Sequence, residues 1–152
     1  MQKGETGEIK IRRMTRDDIK AILAMGGKIV GERIAPRGTR DIVVTVPGDP
    51  LDMSFVAEIG NNVIGAVIAR VAYVGIPFSE VCLIHGIVVD PIYQRRGIGS
   101  KLINRLLDHC HAEGISPVRA LVSERDSQLK QFVEGLGFRR SNIINYDRAS
   151  ED

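Results

Sequence analysis

Val88-Val89-Asp90-Pro91-Ile92-Tyr93-Gln94-Arg95-Arg96-Gly97-Ile98-Gly99-Ser100 is the stretch from which the rest of the chain can be read. Before it, Val81 to Val89 is apolar except for His85 and Gly86, the pattern of a central strand covered on both faces. After it, Leu102, Ile103, Leu106, Leu107 and Cys110 recur at helical spacing and make one apolar face. The quoted residues are therefore a turn that opens a helix. The first amides of a helix have no partner within it, and the helix dipole adds partial positive charge there. Such an end binds anions. Gly97 and Gly99 permit close backbone approach and positive φ. Arg95 and Arg96 add donors suited to phosphate oxygens. A diphosphate is the natural ligand. The dinucleotide pattern GxGxxG is not met, because its third glycine position is Leu102, and GxxxxGK[ST] is absent.

Outward from this turn, the elements alternate. Glu8 to Met14 alternates charged and apolar residues, as a half-buried strand does. Thr15 with Asp18 is a capping-box-like start, followed by Ile19, Ile22 and Leu23 at helical spacing. Gly26-Gly27 is expected to end or break that helix, with a second short piece over 28–34. Residues 35–52, punctuated by Pro36, Gly38, Pro47, Gly48 and Pro50, read as a loop or short edge segment free to shape a pocket. Residues 53–60 and 63–75 read as strands joined by a turn at Asn61-Asn62. Beyond the central helix, which Gly114 stops, 117–122 is a strand. Leu129, Phe132, Val133 and Leu136 stripe a last helix, and 138–146 is a final strand. Strands in series followed by βαβαβ predict an α/β (α+β) fold with a mixed sheet and helices on both faces.

Composition narrows the function. With 152 residues the chain has the size of one domain. Four Phe, three Tyr and no Trp are too few rings for a nucleic-acid stacking platform. A net charge of +2 without single-sign runs suggests no large nucleic-acid footprint. No run of 18 apolar residues and no signal-peptide core is present, so neither a membrane partner nor export is expected and the default location is cytoplasmic. Cys82 and Cys110 read as buried structural thiols. His109-Cys110-His111 cannot converge on one metal from a helix, so no metal is expected.

The string Gln94-Arg95-Arg96-Gly97-Ile98-Gly99, after an apolar strand ending Val88-Val89-Asp90-Pro91, resembles the acyl-CoA-binding motif Q/R-x-x-G-x-G/A of the GNAT superfamily of N-acetyltransferases. Leu129 to Arg139 (LKQFVEGLGFR) is similar to that family's F-Y-x-x-x-G-F segment, and the element order matches over roughly residues 8–147. The resemblance implies one domain over 1–152, a mostly antiparallel sheet, and acyl-CoA in a cleft between splayed central strands. It implies acetyl-CoA as acyl donor and a primary amine as acceptor: a protein N-terminus, a lysine, a polyamine or a small metabolite. Residues 94–99 and Ser100 would hold the pyrophosphate. Ile87, Val88 and Val89 would face the pantetheine arm, with Asp126 and Phe132 also assigned to the cofactor. A homodimer through the last strands is a further implication of the likeness.

Acetyl transfer needs a neutral amine, a donor for the developing oxyanion and a proton for the departing thiolate. His85, in the strand expected to reach the thioester, has a side chain poised near pH 6.5 and is the candidate base. Members of the family place a Glu at the matching position. Glu80 and Glu58 are weaker alternatives. The amide of Val89 is the candidate oxyanion donor. Where the family often carries a Tyr acid, this chain has Val133, leaving Tyr146 as the substitute candidate and Tyr93 as a packing residue. A thiol with a pKa near about 8.5 needs little help to leave. The competing expectation is an acyl-CoA-binding sensor or interaction module without catalysis, motivated by Val133 and Asp126. A nucleotide-binding regulator is disfavoured, because no acidic ribose-binding residue follows the next strand.

Overall fold

The computed structural model describes residues 7–30 and 46–150. Residues 31–34 of the piece expected over 28–34, and most of the irregular stretch, through residue 45, lie outside the described residues. The chain divides into two compact units, 1–121 and 122–152.

The first unit holds a five-stranded sheet in the order β1-β2-β3-β4-β5. Its strands are β1 (Ile9–Arg13), β2 (Phe55–Ile59), β3 (Asn62–Val74), β4 (Ser79–Val89) and β5 (Val118–Ala120). Neighbours are antiparallel except β4 and β5, which run parallel. The sheet is thus mixed, as the element order predicts, and mostly antiparallel, as the resemblance implies. The β2–β3 turn is Gly60-Asn61 rather than Asn61-Asn62, since Ile59 pairs with Asn62 and Gly60 takes φ 60°. The turn, shifted by one residue, leaves Asn62 in the ladder, and glycine supplies the positive φ without steric cost.

Helix α1 (Ile19–Val30) runs through Gly26-Gly27, where a break was expected. Each glycine costs a helix only about 1 kcal/mol. The burial of Ile22 and Met25 against Met14, Val56, Ala66 and Ile68 outweighs that. The Asp18 carboxylate accepts from the Thr15 amide at 2.7 Å and fixes the entry to the helix. Arg12 holds the same carboxylate through two hydrogen bonds of 2.8 Å. This guanidinium, foremost, draws the Asp18 pKa below its ordinary value.

Helix α2 (Ile98–Ala112) covers the other face, burying Ile98, Leu102, Ile103, Leu106 and Cys110. It sits close because β3 carries Gly65 there. A Cβ at that position would stand 3.2 Å from Ile98 Cγ2 and 3.2 Å from the Val88 carbonyl oxygen. Gly114, at φ 71°, ends α2 as the pattern predicts. Cys82 and Cys110 are both buried free thiols.

The second unit contains helix α3 (Ser127–Gly135). The strand expected over 138–146 does not form. Residues 138–150 join no ladder, and Ile143, Ile144 and Tyr146 are exposed. Alternating apolar residues show that a segment can pair, and they do not supply the edge it pairs with.

Candidate functional site

The site is built where β4 ends. β4 pairs with β3 along its length, but β5 reaches it only through Cys82, Leu83 and Ile84. From His85 onward the β5 side of the strand has no partner in that ladder, because β5 ends at Ala120. The break coincides with a bulge. Register passes from Ala69↔Ile84 to Ile68↔Gly86, which leaves His85 as an extra residue on β4. Bulges re-aim side chains and interrupt pairing. His85 is consequently exposed, although its strand is otherwise half-buried or buried around it. Partial burial, and secondarily the positive charge of Arg70, lower its pKa from the usual imidazole value. The ring is therefore neutral at pH 7 and able to take a proton. Ile87, Val88 and Val89 are half-buried, with Val88 packed toward the Met14 cluster.

Beyond Val89 the chain turns through a single 3-10 turn, Pro91–Tyr93. Asp90 caps it by accepting from the Ile92 amide at 3.1 Å. The Gln94 side chain donates to the Val89 carbonyl at 3.2 Å, tying the loop back to the strand. Arg95 and Gly97 have φ 66° and 74°. An arginine in that left-handed region is uncommon and signals a loop held in place by its surroundings. Gly97 caps α2 with no side-chain hydrogen bond, and the first turn carries no acidic residue. The intrahelical ladder begins with the Lys101 amide on the Gly97 carbonyl, so the amides of Ile98, Gly99 and Ser100 precede it. Arg96 lies over the buried ring of Tyr93, 5.3 Å from its centroid. Tyr93 is thus the platform that places a guanidinium beside the helix end. Positive φ, uncapped amides and a braced arginine converge on one point, and a pyrophosphate is the group whose charge and acceptor oxygens suit it.

The structure places His85, Ile87, Val88 and Val89 along β4 and Gln94 to Ser100 in the turn that follows it, joined by the Gln94–Val89 hydrogen bond, all in the first unit. It also recruits two residues without a motif of their own, Tyr93 and Gly65. An isolated glycine inside a strand pattern is itself a sign of close backbone approach, and that signal was available for Gly65. Glu80 and Glu58 are engaged elsewhere: Glu80 accepts from the Tyr73 hydroxyl at 3.0 Å, and Glu58 pairs with Arg12 at 3.2 Å. In the second unit Asp126 caps α3, accepting from the Leu129 amide at 3.0 Å. Phe132 lies on α3, half-buried, and Tyr146 is 87% exposed. Among the described residues no group of three His, Cys, Asp or Glu side chains is placed to hold a metal ion. None of their helices is long and apolar enough to cross a membrane.

The sequence profile of the acetyltransferase (GNAT) family matches residues 35–138. The chain belongs to that family. It is also 31% identical over 94 residues to an uncharacterised N-acetyltransferase of Methanocaldococcus jannaschii. That match takes in 61% of this GNAT chain and 42% of the archaeal protein, so the chain spans less than half of that relative's length. Among solved structures, the aminoglycoside acetyltransferase AAC(6')-Iy bound to a CoA bisubstrate analogue aligns with a TM-score of 0.76 at 17% identity, covering 94% of this chain and 99% of that one. A ribosomal-protein-alanine N-acetyltransferase of Brucella melitensis biovar Abortus aligns at 0.73 and 14% identity, covering 95% and 100%. At such identities the likeness speaks for the fold.

Proposed function

We propose that this chain is a cytoplasmic N-acetyltransferase, with residues 1–152 working as one domain. Its acyl donor would be acetyl-CoA and its acceptor a primary amine. The observation that carries the reading is the uncapped start of α2 at the end of a strand whose β5 partner stops at Ile84. Acetyl-CoA supplies an activated thioester. Everything else falls to the protein.

The amides of Ile98, Gly99 and Ser100, with Arg95 and Arg96, would bind the pyrophosphate. The unpaired side of β4 over Ile87 to Val89 would hydrogen-bond the amide groups of the pantetheine arm, as an added strand does. His85 would take the proton that an ammonium must lose before attack. The Val89 amide would stabilise the negative charge that develops on the carbonyl oxygen. Proton return to sulfur needs no dedicated acid, because a thiol is a tolerable leaving group near neutral pH. Tyr146 remains the candidate if one is used.

The test has two stages. Acetyl-CoA should raise the melting temperature at millimolar concentration, and no binding there overturns the reading. With acetyl-CoA saturating, thiol release should then depend on an added amine. The panel should include aminoglycosides and N-terminal peptides, since solved relatives are named for such acceptors. Acetyl-CoA binding without release for any amine would instead favour the sensor reading, which Val133 motivates. A homodimer belongs to the same proposal. Ile143, Ile144 and Tyr146 lie in an exposed segment with strand patterning and no ladder of its own.

A further inference from the structure

The α2 face of the sheet carries a second cavity, of about 700 Å³, lined by Arg13, Asp49, Asp52, Tyr73, Glu80, His109 and Glu113 among others. Its lining includes neither His85 nor any residue of the turn between β4 and α2. Phe55 packs edge-on against His109 of α2 and pairs in register with Val67; by strand alternation Val71 and Tyr73 share that face. Arg70, whose charge acts on His85, projects to the opposite one.

Asp52 gives this cavity its chemistry. The residue is 1% exposed. Its Oδ1 accepts from the Ser54 amide at 3.2 Å, but its Oδ2 is buried with no hydrogen-bond partner. Arg13 Nη2 stands 3.9 Å from Oδ2, beyond hydrogen-bond reach, and donates instead to the Asp52 carbonyl. Arg13 Nη1 is shared with His109 Nε2 at 3.0 Å, while its Nε, also buried, lacks an acceptor. A buried carboxylate oxygen without a donor is costly and calls for one. Asp49, Glu80 and Glu113 add three more carboxylates around the same space, against the single guanidinium. Burial, followed by Arg13, lowers the His109 pKa, so this ring contributes no compensating charge at pH 7.

We infer that this cavity is a binding site for a small organic cation, a primary amine or diamine, whose ammonium hydrogen-bonds Asp52 Oδ2 and whose remaining charge is balanced by Glu80 and Glu113. The volume admits such a molecule together with water, and a recess with an excess of carboxylates concentrates cations. The site shares no lining residue with His85 or the turn that follows β4, and it does not depend on acetyl transfer.

The three histidines make the test site-specific. Imidazole resonances of the full chain are followed by NMR while putrescine is added, without acetyl-CoA. The His109 signal should move and saturate below about 10 mM, with a binding curve separate from any change at His85. Glu113→Gln, on an exposed helix end, should weaken that curve severalfold without disturbing the fold. Asp52→Asn, checked for an intact melting transition, should weaken it about tenfold or more. A His109 signal that stays fixed while putrescine reaches about 10 mM overturns the site. So does saturation at His85 alone, or a curve indifferent to Glu113→Gln. Loss of acetyltransferase activity would not enter this readout.

Discussion

His85 shows how one residue's setting determines what it can do. A bulge makes it an extra residue on β4, and partial burial with Arg70 nearby lowers its pKa. A base is useful only while unprotonated. The acid limb of kcat/KM should therefore fall below the usual imidazole pKa of about 6.5. His85→Ala should retain acetyl-CoA binding and lose about 10²- to 10⁴-fold in kcat at neutral pH. Unchanged turnover with a working acceptor would remove it from the mechanism. Asp18 gives the matching case for stability. Its folded pKa is depressed, first by Arg12. Its contribution is thus fully present above the unfolded value of about 3.9 and lost as pH falls through the lower folded value. Asp18→Asn should cost about 1–3 kcal/mol at pH 7, measured by urea unfolding, and the deficit should shrink in acid.

At the scale of elements, α2 is the part that the site most depends on. Gly97 holds φ 74°, and a side chain there would meet no atom within 4 Å. The penalty of Gly97→Ala is conformational, about 1–2 kcal/mol, and falls on the loop that presents the amides. Acetyl-CoA affinity by calorimetry should drop about tenfold, with the rest of the fold intact; wild-type affinity would show that the turn does not hold the cofactor. Much of this was legible in the residues. The two glycines, the apolar stripe of Leu102, Ile103 and Leu106, and the Thr15–Asp18 start all act within one turn of the chain, where local chemistry dominates. Gly26-Gly27 misled because the packing that carries α1 through them comes from residues distant in sequence. The polar cavity was invisible for the same reason: Arg13, Asp52 and His109 belong to no motif and meet only when β1 and α2 are folded against the sheet.

For the whole molecule, the feature with the largest consequence is that residues 138–146 join no ladder. Ile143, Ile144 and Tyr146 are 60%, 69% and 87% exposed, an unfavourable ending for an apolar segment in water. Under the dimer proposal, light scattering after gel filtration should give about twice the chain mass of 16.7 kDa. Deleting the segment from Ser141 onward should return a monomer, and a full-length monomer at micromolar concentration would refute it. Sequence periodicity predicted a strand here, and none forms among the described residues. It could not specify the edge, because pairing is a property of two strands and the pattern describes one.

The short reach of β5 has a consequence for how the sheet breathes. Over Cys82 to Ile84, β4 is laced on both sides; over its second half, from His85 to Val89, it is laced to β3 alone. Every second amide in that second half faces away from β3 and should exchange its hydrogen with solvent far sooner than its neighbours. Deuterium uptake along this one strand should therefore be striped, dense from His85 to Val89, where a cofactor arm could lie, and sparse from Cys82 to Ile84. Acetyl-CoA should erase the stripes by occupying those amides.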